Sequence, residues 1–550
     1  MGFILAACAL TAGSAPPGGQ DTATPSLHLL IDTHIEAAWP EHLLTATASS
    51  DAEFLRRVSL DLIGIVPTAA EARPFLESEE PDKRRHLIDA LLARPEHAWH
   101  LARVLDDMLT ERRVNTIKSY DVPRDRWLEF LRRAVDANRP WDQLVGDILA
   151  SDGSDEMTGP AAKFYLSRDV KPALLTRDIG RIFLGIDLQC AQCHDDPRFP
   201  DYLQADYQGL FAFVHRMSHF HDGDRKANLI AEKAEGDVTF TSVFTGDIDT
   251  TDPRLPGGLA IPDPQLKEEE RYQVKPESKV QSIPTWSRRL LLSRELPQRE
   301  TVGFSQNIVN RLWATMLGRG LVAPVDLHHA ANPPSHPDLL QALAHHFENT
   351  NYNIRDFLRE LTLSKTYQRS SRLPAGPRPT AARFAVAPLR PLSAAQLGWS
   401  VLQVTERIAT NFQTDAPQSP PDDSWRLDIY EPFEPDVQLV VSAFQGLSGQ
   451  ADGPFAPTAG QALFFLNAPR LNQLFSREWS PLVARLVGTA DSTKVASELY
   501  LAVLTRPPSA HEVVEVCSLL DDVSELSQRS ERVRNLVLGL LMSAEFRFNH

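Results

Sequence analysis

The stretch Ile179-Gly180-Arg181-Ile182-Phe183-Leu184-Gly185-Ile186-Asp187-Leu188-Gln189-Cys190-Ala191-Gln192-Cys193-His194 joins a fold signal to a chemical one. Ile179, Ile182, Phe183 and Ile186 fall at i, i+3, i+4 and i+7, so the spacing predicts an amphipathic helix running into Cys190. The helix ends on C-x-x-C-H, the pattern that holds c-type haem: two thiols add to the porphyrin vinyl groups and the next imidazole ligates the iron. Residues three apart on a helical turn share a face, which sets both thiols on one side with His194 beside them. The chain has only 4 cysteines and 17 histidines. A shuffled sequence of that composition would show roughly 0.001 such matches, so the spacing is not accidental.

Helical periodicity extends in both directions. Upstream, Leu29, Leu30, Ile31 and Ile35 open one helix, and Phe54, Leu55, Val58 and Leu62 form another that stops at Gly64 and Pro67. Thr68-Ala69-Ala70-Glu71 reads as a capping box. Leu101, Leu105 and Leu109, then Trp127, Phe130, Leu131 and Val135, continue the pattern, and a helix from Trp141 stops near Ser151-Asp152-Gly153. Downstream, Asp237–Gly246 alternates with β-branched residues and predicts a short strand or hairpin, followed by a Pro- and Gly-rich stretch from Pro253 to Pro264. Helices resume at Ile308–Leu317, Leu339–Phe347, Ile354–Ser364 and Ala394–Ala409. Five prolines mark Thr414–Asp436 as an extended loop, and helices near Leu482–Val487, Lys494–Val503, Ser509–Leu520 and Glu531–Ser543 close the chain. The expected fold is mainly α: a leader at 1–26, a helical domain at 27–216, a β-containing, Pro/Gly-rich connector at 217–283, and a second helical domain at 284–550.

The composition excludes several function classes. A net charge of −16 argues against a nucleic-acid surface, and the basic pairs Arg56-Arg57 and Arg132-Arg133 sit among acids. No run of about 18 apolar residues predicts a membrane span. The start, Met1-Gly2-Phe3-Ile4-Leu5-Ala6-Ala7-Cys8, then small residues and Pro16-Pro17, reads as the tail end of an export signal. Leu5-Ala6-Ala7-Cys8 also fits a lipoprotein processing box with Cys8 as the lipidated residue. The expected location is therefore periplasmic or cell-envelope, with a lipid anchor at Cys8. Cys517, in an apolar helix, reads as a small core side chain.

The motifs in their order resemble a planctomycete family that pairs an N-terminal cytochrome-c-like domain of unknown function with a C-terminal planctomycete-specific domain of unknown function. The resemblance is carried by Arg56-Arg57-Val58-Ser59-Leu60-Asp61-Leu62-Ile63-Gly64, by Phe183 to Asp195, by Asn310-Arg311-Leu312-Trp313 and by Gly318-Arg319-Gly320-Leu321-Val322. It continues through Asn332-Pro333-Pro334-Ser335-His336-Pro337-Asp338, Ser364-Lys365-Thr366-Tyr367-Gln368, Leu504-Thr505-Arg506-Pro507-Pro508 and Ser543 to His550. Family members often have a second histidine where this chain has Asp196, and a further C-x-x-C-H elsewhere. The resemblance thus implies a reduced member holding at most one haem. It assigns no reaction.

The residues leave three readings of the motif open. In the first, Cys190 and Cys193 form haem thioethers, His194 is the proximal ligand, and the protein serves electron transfer or redox catalysis with a redox or envelope partner. In His215-Arg216-Met217-Ser218-His219-Phe220-His221, His215, Met217 and His219 are candidates for a sixth ligand, with His215 and His219 expected on one helical face. In the second, the motif is a zinc site, a dithiol or disulfide, or a turn without cofactor in a non-redox binding or scaffold protein; zinc would need two more ligands. In the third, the chain is a carbohydrate-processing accessory or hydrolase, with Asn310, Arg311, Arg319, Asp326, Asn332 and His336 around a pocket. Arg311 and Asp326 also suit a buried structural pair. The adjacent pairs His328-His329 and His345-His346 read as surface residues.

Overall fold

Ser50 accepts a hydrogen bond from the Glu53 amide and opens the helix Asp51–Leu62, and every residue of that helix from Glu53 to Leu62 is buried. A helix buried on all faces must find partners for its polar side chains. In the computed structural model, which describes residues 26–111, 122–241, 243, 246–373, 376–408, 431–444, 464 and 467–550, those partners come largely from far along the chain. Arg56 donates to the carbonyls of Val503 (3.2 Å) and Phe546 (2.6 Å). Arg57 donates to those of Tyr367 and Arg369 and pairs with Glu53. Asp61 accepts from Tyr367 Oη, Arg390 Nη2 and Asn549 Nδ2. Arg56-Arg57 is therefore an internal clamp and not a surface basic patch.

The fold is mainly α, as expected, and the described residues include four small two-stranded antiparallel sheets. Thr68 and Glu71 form the capping box that opens Ala69–Glu77. The expected helices appear as Phe304–Leu317, Pro337–Asn349, Ile354–Leu363, Ala394–Val404, Pro481–Gly488, Ser492–Leu504, Ala510–Leu520 and Leu526–Met542. The helix Trp141–Ala150 ends one residue before Ser151, where the Asp-Gly pair begins its turn. One cluster of buried apolar side chains runs from Leu27 to Phe546. Among the described residues no helix is long and apolar enough to cross a membrane.

Several expectations are corrected. The helix Pro172–Ile179 passes into a wide turn, Gly180–Leu184, and stops at Gly185, so it does not run into Cys190. Gly185 has φ +75°, and a Cβ there would lie 2.7 Å from His328 Cδ2 and 2.9 Å from Asn307 Oδ1. The helix Gln204–Val214 ends with His215 as its cap; Met217–Asp222 is a strand paired with Ala227–Glu232. His215 and His219 consequently do not share a helical face. Of the strand or hairpin read at 237–246, Val238–Thr241 is a strand, and its partner Ile248–Thr251 lies beyond that stretch. Residues 434–436, read as loop, belong to the helix Glu434–Phe444, while 414–430 and Cys8 lie outside the described residues. Cys517 is half-buried rather than in the core. His328 and His329 are also half-buried.

Candidate functional site

The Cys190 turn is fixed from three sides. On the first, the His328 amide donates to the Gly185 carbonyl (2.9 Å) and Ile186 bridges Leu327, so a loop from the C-terminal part ends the preceding helix. Leu188 is buried, and Asp187 pairs with Arg177 while accepting from the Gln189 amide. On the second side, the short 3₁₀ turn Cys190–Gln192 pins itself through Ala191, which is fully buried, while Cys190, Gln192 and Cys193 are exposed. On the third, Gln204 and Gln208 lie four residues apart on one helix and donate to the carbonyls of Cys193 (2.9 Å) and Gln192 (3.0 Å). Asp195 accepts from the Gln204 amide as that helix begins.

Asp196, two residues after His194, closes the loop that follows the motif. It is 4% exposed and accepts from the amides of Arg198 (2.8 Å) and Phe199 (3.3 Å). Burial works to raise its pKa, but these amides and the Arg198 charge outweigh it, so the carboxyl titrates below its ordinary range. The carboxylate is thus a loop closure rather than a ligand facing the thiols.

Both thiols are free and exposed, and His194 follows directly with its Nδ1 2.7 Å from the Asp195 carbonyl. A ligating imidazole ordinarily donates its second ring N–H to such an oxygen, which fixes the tautomer and leaves Nε2 as the ligand atom. Two accessible thiols and an adjacent imidazole are the residue types that covalent haem attachment requires. Arg198 Nη2 lies 3.5 Å from Cys190 Sγ.

The three sixth-ligand candidates are engaged elsewhere. His215 meets the carbonyls of Ala212 (3.2 Å) and Gly236 (2.8 Å), one at each ring nitrogen. Burial, followed by the charges of Arg288 and Arg216, keeps its pKa below the ordinary value despite those carbonyls. Met217 is part of the core, and His219 Nε2 meets Asn228 Oδ1 at 3.0 Å. Among the described residues no group of three or more His, Cys, Asp or Glu side chains converges as a metal ion requires.

The polar residues of the C-terminal part mainly shape the loop that meets this turn. Asn310 both donates to the Val322 carbonyl and accepts from the Val322 amide, each at 3.0 Å. Asn332 holds the Leu327 carbonyl, His336 precedes Pro337–Asn349 with its Nδ1 on Ser335 Oγ rather than on the helix amides, and Arg319 is exposed. Asp326 pairs directly with Arg181 (2.8 Å), which also binds Glu111 and Asp178; Arg311 reaches the Arg181 carbonyl instead of Asp326. Tyr202 Oη donates to the His328 carbonyl, and Phe199 packs on the His329 ring at 4.0 Å, joining the loop to the segment after the motif. Burial, aided by the Arg311 charge, depresses the His328 pKa to about 4.

Residues 30–219 match PSCyt2, described as a protein of unknown function (DUF1549), and residues 288–520 match PSD1, described as a protein of unknown function (DUF1553). Two separate segments of the chain thus each match a family of unknown function. No curated protein and no solved structure matches the chain. The DUF1549 segment contains the Cys190–His194 turn and the Arg56–Asp61 clamp. The DUF1553 segment contains the loop at 324–332 that ends the helix before the turn. The residues that sequence reasoning missed are Arg198, Tyr202, Gln204 and Gln208; only the i, i+4 glutamines carried a signal, since they share one helical face.

Proposed function

We propose that the turn Cys190–His194 attaches a single c-type haem, in an exported cell-envelope protein that transfers electrons or supports redox catalysis. The observation that supports this is the pairing of two exposed thiols on one turn with an adjacent imidazole whose Nδ1 is tied to a backbone carbonyl. Haem held in this way supplies one-electron redox chemistry. The chain's own contribution is positional. Gln204 and Gln208 hold the turn's carbonyls, Asp195 fixes His194 through its carbonyl, and Ala191 anchors the turn to the core. Export rests on the sequence at the N-terminus, as does the lipid anchor at Cys8.

The test is periplasmic expression of the full chain in a host with active haem-attachment machinery, followed by a denaturing gel stained for haem and an absorption spectrum. A haem-stained band at the chain's mass, absent in Cys190→Ala with Cys193→Ala, is the expected result. Purified, folded chain without any Soret-absorbing species would overturn it. In that case the exposed thiols on one turn favour a dithiol that closes reversibly, read by loss of two thiol equivalents under mild oxidation.

A further inference from the structure

The run His215–His221 is only partly spent on the fold, and its outer half makes a constellation of its own. The strand Met217–Asp222 pairs with Ala227–Glu232 in a continuous register that sets His221 opposite Asn228 and His219 opposite Ile230. Side chains two apart on a strand share a face, and so do the residues opposite them. His219, His221 and Asn228 therefore stand on one side of the hairpin. The hairpin is fixed at both ends. At its base Met217, Leu229 and Ile230 are buried, and the Ile230 amide donates to the Asp152 carbonyl at 2.8 Å. At its tip Asp222 Oδ1 accepts from the amides of Asp224 (3.0 Å) and Arg225 (3.1 Å).

On that fixed face two rings meet one atom. His219 Nε2 lies 3.0 Å and His221 Nδ1 3.2 Å from the same oxygen, Asn228 Oδ1. His221 is exposed and His219 and Asn228 are half-buried, so water can replace either contact and the pair adds little to stability. The separations suit another use. Ligand atoms about 2.1 Å from one metal ion, at angles of about 90–110°, lie about 3.0–3.4 Å from each other. Each ring nitrogen already stands at about that spacing from the amide oxygen. An ion among the three atoms asks for side-chain rotation on a backbone already in place.

The donor set restricts the ion. Two imidazole nitrogens and an amide oxygen lack the thiolates that hold copper(I) and the array of oxygens that calcium or magnesium requires. They suit divalent nickel, copper and zinc, and at a given nitrogen and oxygen site affinity peaks at copper(II). Three protein donors leave positions for water, so the ion exchanges with solvent instead of forming a closed structural centre. A site of two histidines and an amide is consistent with the described residues showing no cluster of three His, Cys, Asp or Glu. We propose that His219, His221 and Asn228 bind one exchangeable divalent ion of the nickel–copper–zinc group, copper(II) most tightly. The site needs no residue of the Cys190 turn, so it stands or falls independently of haem attachment there.

Calorimetric titration of the full chain with CuCl2, NiCl2, ZnSO4 and CaCl2 tests this near neutral pH. The thiols are first alkylated with iodoacetamide so that they do not compete, and copper is also followed by electron paramagnetic resonance. One equivalent of copper(II) is expected to bind with Kd below about 100 µM and to show nitrogen splittings, with nickel and zinc weaker and calcium absent. His221→Ala and His219→Ala should each weaken copper binding about fivefold or more, and Asn228→Ala by less, since an amide oxygen is the poorest of the three donors. His221 is exposed, so its variant keeps the fold; if His219→Ala does not fold, His219→Gln takes its place with the same loss expected. The proposal is overturned if no equivalent of copper binds more tightly than about 100 µM, if binding in His221→Ala stays within about fivefold of the parent, or if calcium binds as tightly as copper.

Discussion

The helix Asp51–Leu62 and the turn Cys190–Gln192 both carry unusual polar side chains, yet the first hides them and the second presents them. Arg56, Arg57 and Asp61 are buried and bound to Val503, Phe546, Tyr367, Arg390 and Asn549, so their polarity serves to join distant parts of the chain. Cys190 and Cys193 are exposed, and the contacts that hold their turn run mainly through backbone carbonyls rather than through the thiols. A buried residue whose charged end is bound to partners inside the fold is there for the fold. A reactive side chain left outward, on a turn held by its neighbours, is there for chemistry.

The sharpest way to break that comparison is to remove one group from each region. Arg56→Ala strips the donors from two buried carbonyls, and a stability loss of about 3 kcal/mol is expected from denaturant unfolding. Burial already holds the Arg56 pKa down to about 10 despite the Glu545 charge, which shows how dry its site is. Cys190→Ala with Cys193→Ala should change stability by less than about 0.5 kcal/mol while abolishing covalent haem. If the thiol variant unfolds the protein and Arg56→Ala does not, the assignment of roles is reversed.

Acidification probes the buried region next. His97 is 1% exposed, with Nδ1 on the Leu62 carbonyl, and burial lowers its pKa to about 4, although that carbonyl works to raise it. The imidazole titrates near 6.5 in the unfolded chain, so between about 6.5 and 4 the unfolded chain binds more protons. Stability should therefore fall as pH drops from about 6.5 to about 4, by about 3 kcal/mol at most from this group, and be flat in its contribution outside that window. Replacing His97 with Gln should flatten the slope. An unchanged slope would place the proton uptake elsewhere, with His328 as the next group to test because its pKa is likewise depressed to about 4.

Legibility followed the range of the interactions. The Thr68 capping box, the helices with clear periodicity and the strand Val238–Thr241 depend on neighbours in sequence and are readable there. The stop at Gly185 was not, because His328 and Asn307 impose it from the other half of the chain. Arg56-Arg57 looked like surface charge for the same reason: their partners lie hundreds of residues away. The strand Met217–Asp222 was hidden because its histidines favour neither state, and only pairing with Leu229 and Ile230 settles it. The motif residues themselves were plain in the sequence; the glutamines and carboxylates that hold their turn required the fold.

Asp196→His places an imidazole two residues after His194 and is a smaller perturbation. An imidazole cannot accept from the Arg198 and Phe199 amides together as the carboxylate does, so a loss of about 1–2 kcal/mol is expected. Equilibrium dialysis against zinc should show no gain in metal retention. A tight gain would mean that the loop can turn this position toward the thiols, making the site closer to a metal centre than its carboxylate version suggests.

The smallest effect distinguishes holding the turn from using it. Gln208→Ala removes one donor, to the Gln192 carbonyl, on an exposed turn where water can replace it, so stability should change by about 0.5–1 kcal/mol or less. The local consequence is larger, because Cys193 and the turn around it lose one of their two glutamine restraints while Gln204 still holds the Cys193 carbonyl. Thiol labelling under native conditions should then speed up several-fold at Cys193 and little at Cys517, whose helix is untouched. Equal acceleration at both cysteines would point to general loosening of the fold. No acceleration at either would mean that Ala191 alone anchors the turn, and the positioning role would pass from the helix Gln204–Val214 to the core beneath the motif.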